Sequence, residues 1–366
     1  MIHRSGTSSH AGLRSIRIRV VAAVAVLAGL GALTTACGAS SEGATTSGGQ
    51  TVIKYQSYPG QVDLSELADA LGYIPDIKLE RLGDVQGGPQ SLQALATGQV
   101  DYGGAFNGAI ANVIASGAPI KAVIAYYGSN DKTYGGLLVK DGSPITKPQD
   151  LIGKKIAINT LGANFEAVLD DWFQKGGLTD AQIKQITLVP LPLVNAEAAL
   201  RHGQVDAAYI SGALLQKAIG NGGLNVLFKD TDIVGDYNGG SYCMTDEFLK
   251  DNPTAAKEFI GGMAKAAEYT RSHSADQVKA VMTKYLTAHG RADAVAGLSA
   301  WTSSGIASTG GTISDADFAP WTKWLQWKGL IKGSVDISSL YTNQFNPYAN
   351  AGSASKAPSP TGTESQ

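Results

Sequence analysis

The chain has 366 residues, a hydrophobic fraction of 43% and a formal net charge of −2. That length suits two domains, and that composition supplies ordinary apolar cores. The charge balance, with no basic run past the first twenty residues, argues against a nucleic-acid surface.

The N-terminal segment reads as a targeting signal. Arg14, Arg17 and Arg19 form a positive region. Val20 to Leu33 is apolar but too short to favour a spanning helix. Thr34-Thr35-Ala36-Cys37 follows and resembles a bacterial lipoprotein signal, with Thr34 where Leu is usual and Leu33 one place early. The resemblance implies a signal peptide over 1–36, diacylglycerol on Cys37 and attachment to the membrane by two acyl chains. An ordinary secretory signal with an incidental cysteine is the alternative. Cys243 would then have no partner and serve as a small buried apolar residue. Gly38 to Gln50 is rich in Ser, Gly, Thr and Ala and reads as a flexible tether over 37–50. Residues 350–366 read as a disordered tail.

Between these ends strands and helices alternate, which predicts α/β architecture. Thr51–Tyr55 is the first predicted strand. Asp63 and Glu66 stand at the N-cap and N3 of a helix ending near Gly72. Lys78–Leu82 is a strand, Gly87-Gly88-Pro89 opens a helix ending at Gly98, and Val100–Gly103 is a third strand. Asn107–Ser116 is a helix and Lys121–Ala125 a strand. Gly135–Val139 is strand-like and leads toward a crossing. Pro148 suits the first turn of a short helix. Lys154–Asn159 is a strand, Asn164–Lys175 a helix, and Thr179 with Gln182 a further capping box. Thr187–Leu191 is a strand, and Asn195 caps a helix reaching Gly203. Asp206–Ile210, Asn225–Lys229 and Ser241–Thr245 are strands. Helices then dominate: one from Pro253 to Ser272, one capped by Ser274 with Gln277, and one over Asp315–Lys328. Trp321, Trp324 and Trp327 fall on one face of the last, which predicts core packing. Trp301 is expected between helices, or else over the binding cleft.

One pattern occurs twice. Leu95-Ala96-Thr97-Gly98-Gln99-Val100-Asp101 matches Leu200-Arg201-His202-Gly203-Gln204-Val205-Asp206. Each copy reads as a helix end, a glycine stop, a strand and a small-residue loop opening the next helix. The glycine fits the left-handed position that ends a helix. The strand delivers its carboxyl end to a helix start, where open α/β sheets bind ligands. Two such units predict two lobes: 51–140 with 239–349, and 141–238 between them. Two crossing segments would form a hinge, and the cleft between lobes would hold a small molecule. No metal or nucleophile pattern appears. His202, His273 and His289 lack ligand spacing, and neither G-x-S-x-G nor G-x-x-x-x-G-K is present. Asp170 and Asp171 are adjacent on a helix and so do not face each other.

Gly98-Gln99-Val100-Asp101, Asp150-Leu151-Ile152-Gly153-Lys154-Lys155-Ile156-Ala157 and Ala199 to Asp206 resemble the substrate-binding proteins of nitrate, sulfonate and taurine ABC importers. Thiamine-pyrimidine binding proteins and a related pyrimidine synthase share that fold. The resemblance implies an α/β type II periplasmic-binding-protein fold that closes on its ligand. It also implies a membrane permease partner, no cofactor and no nucleic-acid partner; a monomer is expected. Carried over by position, the ligand-holding groups are Ser57 and Tyr58, Phe106 and Asn107, Thr160 to Asn164 with Ala163 among them, and Ser211 with Gly212. Helix starts near Asn107 and Asn164 suit an anion, although each asparagine could simply cap its helix. Tyr58, Tyr126, Tyr127, Tyr209 and Tyr242 lie near strand ends, and Tyr126 and Tyr242 join Tyr58 as candidate ligand contacts. Glu166 is either a solvated helix-end charge or a partner for a ligand amine. The expected function is solute binding for an importer, at the outer face of the cell membrane. The alternatives are an enzyme on the same fold and a ligand-binding sensor.

Overall fold

The computed structural model describes residues 46–85 and 87–349. The signal segment, Cys37 and the tail lie outside the described residues. Thr46–Ser47 (β1) folds back on Gln50–Ser57 (β2) through Gly48 and Gly49, both at positive φ. Two such residues make the tight turn that suits a hairpin, so the last residues of the expected tether are paired rather than free.

The first lobe continues with Leu64–Ala70 (α1), Ile77–Asp84 (β3), Gly88–Ala96 (α2), Gly103–Phe106 (β4), Asn107–Ala115 (α3) and Ile120–Ser129 (β5). The second holds Gly135–Lys140 (β6), Lys155–Ile158 (β7), Asn164–Lys175 (α4), Asp180–Ile183 (α5), Thr187–Pro190 (β8), Leu193–Arg201 (α6), Ala207–Ser211 (β9), Gly212–Gly220 (α7) and Leu224–Lys229 (β10). Asp230–Val234 (α8) leads out of it, and Tyr237–Thr245 (β11) re-enters the first lobe. Asp246–Asp251 (α9), Pro253–Ser272 (α10), Ala275–Ala288 (α11), Ala292–Leu298 (α12) and Ala319–Trp327 (α13) complete the chain.

The second sheet has the order β8-β7-β9-β6-β10. The first lobe holds β1-β2-β3 and β4-β11-β5. A backbone bond from Asp101 N to Lys54 O at 2.9 Å joins these two sets, giving β3-β2-β4-β11-β5. The two lobes therefore repeat one strand order. The doubled sequence has a physical cause. Gly98 and Gly203 sit at φ of 70° and 71° and close their helices. Asp101 and Asp206 then clasp β2 and β7, the strands beside β4 and β9. Asp101 Oδ2 accepts from Lys54 N at 2.6 Å, and Asp206 Oδ2 accepts from Lys155 N at 2.8 Å. Asp206 N donates to Lys155 O at 2.9 Å, as Asp101 N does to Lys54 O. Replacing either aspartate with alanine is expected to cost about 1–2 kcal/mol, since a charged hydrogen bond is lost. Urea denaturation checks this, and unchanged midpoints in both variants would dismiss the clasp.

Several boundaries differ from the sequence reading. β4 begins at Gly103 rather than Val100, because Val100 and Asp101 make the clasp and the ladder with β11 starts at Gly103 opposite Cys243. β6 belongs to the second sheet: Gly135 to Leu138 pair with Ser211 to Ala208. The lobe boundary expected at Lys140 therefore falls at 130–134, and the return at 230–236. α6 starts at Leu193 behind Pro192, so Asn195 lies within its first turn and caps nothing. Asp63 does cap α1, accepting from Ser65 N at 2.8 Å, and Ser274 caps α11. Glu66, however, does not return to the cap; its carboxylate takes Tyr55 and Arg291.

α10 and α11 pack on α1 and close the first lobe over Ile53, Leu64, Phe259 and Trp301. α13 departs from the lobe assignment of 239–349. It packs on both α3 and α4. Phe106 meets Trp321 edge-on at 5.0 Å, and Trp324 Nε1 donates to Asp170 Oδ2 at 2.9 Å. Trp321 and Trp324 are buried as expected, whereas Trp327 is 36% exposed and donates to Asp180 Oδ1 at 3.1 Å. Cys243 is fully buried, and burial pushes its thiol well above the ordinary range. Among the described residues no helix is long and apolar enough to cross a membrane.

Candidate functional site

In both lobes strands end at loops that open helices: β3 and β4 lead into α2 and α3, and β7 and β9 into α4 and α7. α2, α3, α4 and α7 have Gly87, Phe106, Ala163 and Ser211 at their N-caps, and no side chain there accepts from the helix. First-turn amides without a side-chain acceptor, at the positive end of the helix dipole, suit an anion. Thr160 and Ala163 are half-buried and Leu161 is 53% exposed. Ser211 and Gly212 are half-buried, and Gly212 N donates to Tyr134 O at 2.9 Å. That bond seats a second-lobe helix start on the first crossing.

The two asparagines take other work. Each is the first helical residue rather than the cap, so its side chain points away from the free amides. Asn107 is fully buried. Its amide donates to Asn238 O at 3.1 Å and Asp317 O at 3.2 Å, and its carbonyl accepts from Ser241 Oγ at 2.8 Å. Asn164 donates to the Tyr237 hydroxyl at 2.9 Å. Helix starts from both lobes thus converge on β11. Neither asparagine caps its own helix; their side chains bond to β11 and to Asp317 O.

The tyrosines form a stack. Tyr126 lies parallel to Tyr242 at 4.1 Å and to Tyr58 at 6.0 Å. Tyr126 and Tyr242 are buried, and Tyr242 donates to Asp63 Oδ2 at 3.1 Å. Tyr58 and Tyr127 are half-buried, and the Tyr58 hydroxyl donates to Gly104 O at 2.6 Å. Gly104 makes the stack possible, because a Cβ there would come within 2.7 Å of the Tyr242 ring. Tyr209 is core, stacked on Phe165 at 4.2 Å. Phe106 is buried against Trp321, so it too packs rather than lines an open face.

Ser57 brings charges the sequence reading missed. Arg81 Nε donates to its hydroxyl at 2.8 Å and Arg291 Nη2 at 3.2 Å. Arg81 also pairs with Asp84, and Arg291 with buried Glu66. Burial and Asp63 hold Glu66 above the ordinary carboxylate range, and Arg291 opposes them. Arg81 had a signal in the sequence. On β3 it follows Ile77 and Leu79 on the inward-alternating face, where a cation is out of place. Arg291 lies 234 residues beyond Ser57 and carries no such signal.

Glu166 is buried and accepts from Gly162 N at 2.7 Å; its cation is Lys328, which also pairs with Asp170 at 3.2 Å. Lys328, Trp327 and Leu161 line a cavity of about 490 Å³ between α13 and the second lobe. Among the described residues no group of three or more His, Cys, Asp or Glu is placed to hold a metal ion.

Two lobes of one strand order, joined by two crossings and presenting helix starts beside them, define a periplasmic-binding-protein fold of type II. The family model described as NMT1/THI5 like matches residues 76–277, more than half of the chain, and the chain belongs to that family. An Escherichia coli (strain K12) protein named for aliphatic sulfonates binding is 30% identical over 190 residues, 50% of this chain and 56% of its own. The taurine-binding periplasmic protein of the same organism is 26% identical over 180 residues, 47% of this chain and 51% of its own. The chain thus matches only about half the length of these curated relatives. The crystal structure of the periplasmic aliphatic sulphonate binding protein SsuA from Escherichia coli aligns with a TM-score of 0.61 at 23% identity, covering 81% of this chain and 92% of that one. The fold also carries an enzyme: the desulfurization enzyme DSZB aligns with a TM-score of 0.54 at 16% identity, covering 80% of this chain and 97% of that one.

Proposed function

We propose that this protein is the extracytoplasmic solute-binding component of an ABC importer, taking a small anion between its lobes and delivering it to a membrane permease. A sulfonate or taurine is the first ligand class, with nitrate next. One observation carries the reading: the same strand order occurs twice, and each copy ends in helix starts whose amides have no side-chain cap. Such amides are donors for an anion approached from two sides. The guanidinium groups at Ser57 are each matched by a carboxylate, Arg81 by Asp84 and Arg291 by Glu66, so the helix amides carry the anion argument. The relatives named for sulfonate and taurine binding support the ligand class. In this reading Cys37 carries the lipid that holds the protein at the membrane, and the protein works as a monomer without a cofactor.

A melting screen with ethanesulfonate, taurine and nitrate tests the ligand class. A true ligand at a hundred times its dissociation constant adds about 2.7 kcal/mol of stability through linkage. No shift with any of the three would remove the anion reading. Consumption of the compound during the assay would favour the enzyme alternative that the DSZB likeness raises. The anchor has its own test. Cys37→Ala is expected to move the protein from the membrane fraction to the soluble fraction, and a variant that stays membrane-bound argues against lipidation.

A further inference from the structure

One helix reaches a candidate helix start in each lobe. α13 sets Trp321 against Phe106, the N-cap of α3, at 5.0 Å, and Trp324 meets the same ring at 6.4 Å. At the other end of α13, Lys328 is the C-cap residue and donates to Glu166, 162 positions earlier in the chain. Glu166 is the third residue of α4. Its Oε2 accepts from Gly162 N at 2.7 Å, so the carboxylate closes the turn over 162–166 that opens the helix. Ala163 supplies no side-chain cap there, and Leu161 is 53% exposed, so Glu166 is the side chain that fastens Gly162 to α4. The same ammonium pairs with Asp170 at 3.2 Å. Burial works against the charge on Lys328, but Glu166 and Asp170 together hold it above the ordinary lysine range. Lys328 is therefore a cation at neutral pH.

A carboxylate in the first turn of a helix lies at the positive end of the dipole, the same place that suits an anion. Two negative charges there repel each other, the more so away from bulk water. An ammonium on the carboxylate offsets that repulsion. We propose that Lys328 is a positioning residue for the bound anion. Through Glu166 it holds the loop that opens α4, and it cancels the negative charge that would otherwise stand at that helix start. α13 packs on both α3 and α4, so it braces one helix start in each lobe. This inference rests on the reading that an anion binds at these helix starts, but its first test needs no ligand.

Amide hydrogen exchange of the ligand-free protein compares wild type with Lys328→Met at a temperature where both are folded. Loss of the ammonium frees the Glu166 carboxylate to turn toward water, so the Gly162 amide should exchange about tenfold faster through local opening. Wild-type protection at Gly162 overturns the hold on the loop. The charge is tested by affinity for ethanesulfonate, measured by calorimetry. Lys328→Met should bind about tenfold more weakly, equivalent to about 1.4 kcal/mol. Adding Glu166→Gln to Lys328→Met should recover most of that loss, because glutamine carries no charge and its carbonyl can still accept from Gly162 N. A lysine that only supports packing would leave the double variant as weak as the single one. A deficit that Glu166→Gln does not relieve therefore overturns the charge role, as does wild-type affinity in Lys328→Met. If Lys328→Met does not fold, Glu166→Gln decides alone: affinity should rise severalfold, and an unchanged or lower affinity overturns the proposal. Failure of wild type to bind any of the tested anions would count against the ligand reading and the charge role together, and exchange at Gly162 would still decide the hold on the loop.

Discussion

Lys328→Met is expected to destabilise the protein by about 1.5–3 kcal/mol, because it removes a charged hydrogen-bond partner from two buried carboxylates. Glu166 and Asp170, both on α4, leave only 8% and 3% of their side chains exposed, and Lys328 neutralises both. Methionine keeps the apolar stem against Trp324 and Trp327 but removes the ammonium. Two carboxylates would then share a buried site one turn apart. The loss has a defined pH dependence. Burial already holds Asp170 above the ordinary carboxylate range, and Trp324 and Lys328 pull it back. Without Lys328 it rises further. A carboxyl group raised in the folded state contributes stability below its unfolded value and loses it as pH rises through the folded value. The deficit of Lys328→Met should therefore be larger at pH 7 than at pH 4. Urea titrations at both values check this, and equal deficits would mean that the carboxylates are solvated after all. α13 is the element at stake, since it bridges α3 and α4.

Asn107→Ala is expected to cost about 2–4 kcal/mol, because it leaves buried partners without their bonds. The carbonyls of Asn238 and Asp317 lose donors, and the Ser241 hydroxyl loses its acceptor. Asn238 and Ser241 lie in β11, and Asp317 stands in the turn packed against it. The substitution should lower the melting temperature while leaving ligand affinity close to wild type at a temperature where the variant is folded. A large drop in affinity with intact stability would place Asn107 back among the ligand contacts.

What could be read from the sequence depended on how local its physical cause is. The glycines at 98 and 203 and the aspartates at 101 and 206 act within one strand–helix unit, and their repetition exposed the doubled fold. Helix α4 was read at its observed bounds because small residues open it and Gly176 ends it. α10 followed from Pro253 at its start. The site was less legible. An asparagine opening a helix looks alike whether it caps, binds ligand or anchors a neighbour. Only the fold shows Asn107 and Asn164 reaching β11, over 130 and 70 residues away. Arg291 at Ser57 and Lys328 at Glu166 are likewise long-range meetings with no periodic signature. The boundary at 130–134 was missed because Gly135–Val139 is equally apolar on either sheet; its partner, β9, decides.

The central claim is that two lobes close over a small anion. Small-angle scattering with and without the sulfonate that raises the melting temperature most tests it directly. The account expects a smaller radius of gyration with the compound present, and the compound recovered unchanged. The same radius in both states, at saturating ligand, would contradict closure and with it the binding-protein reading.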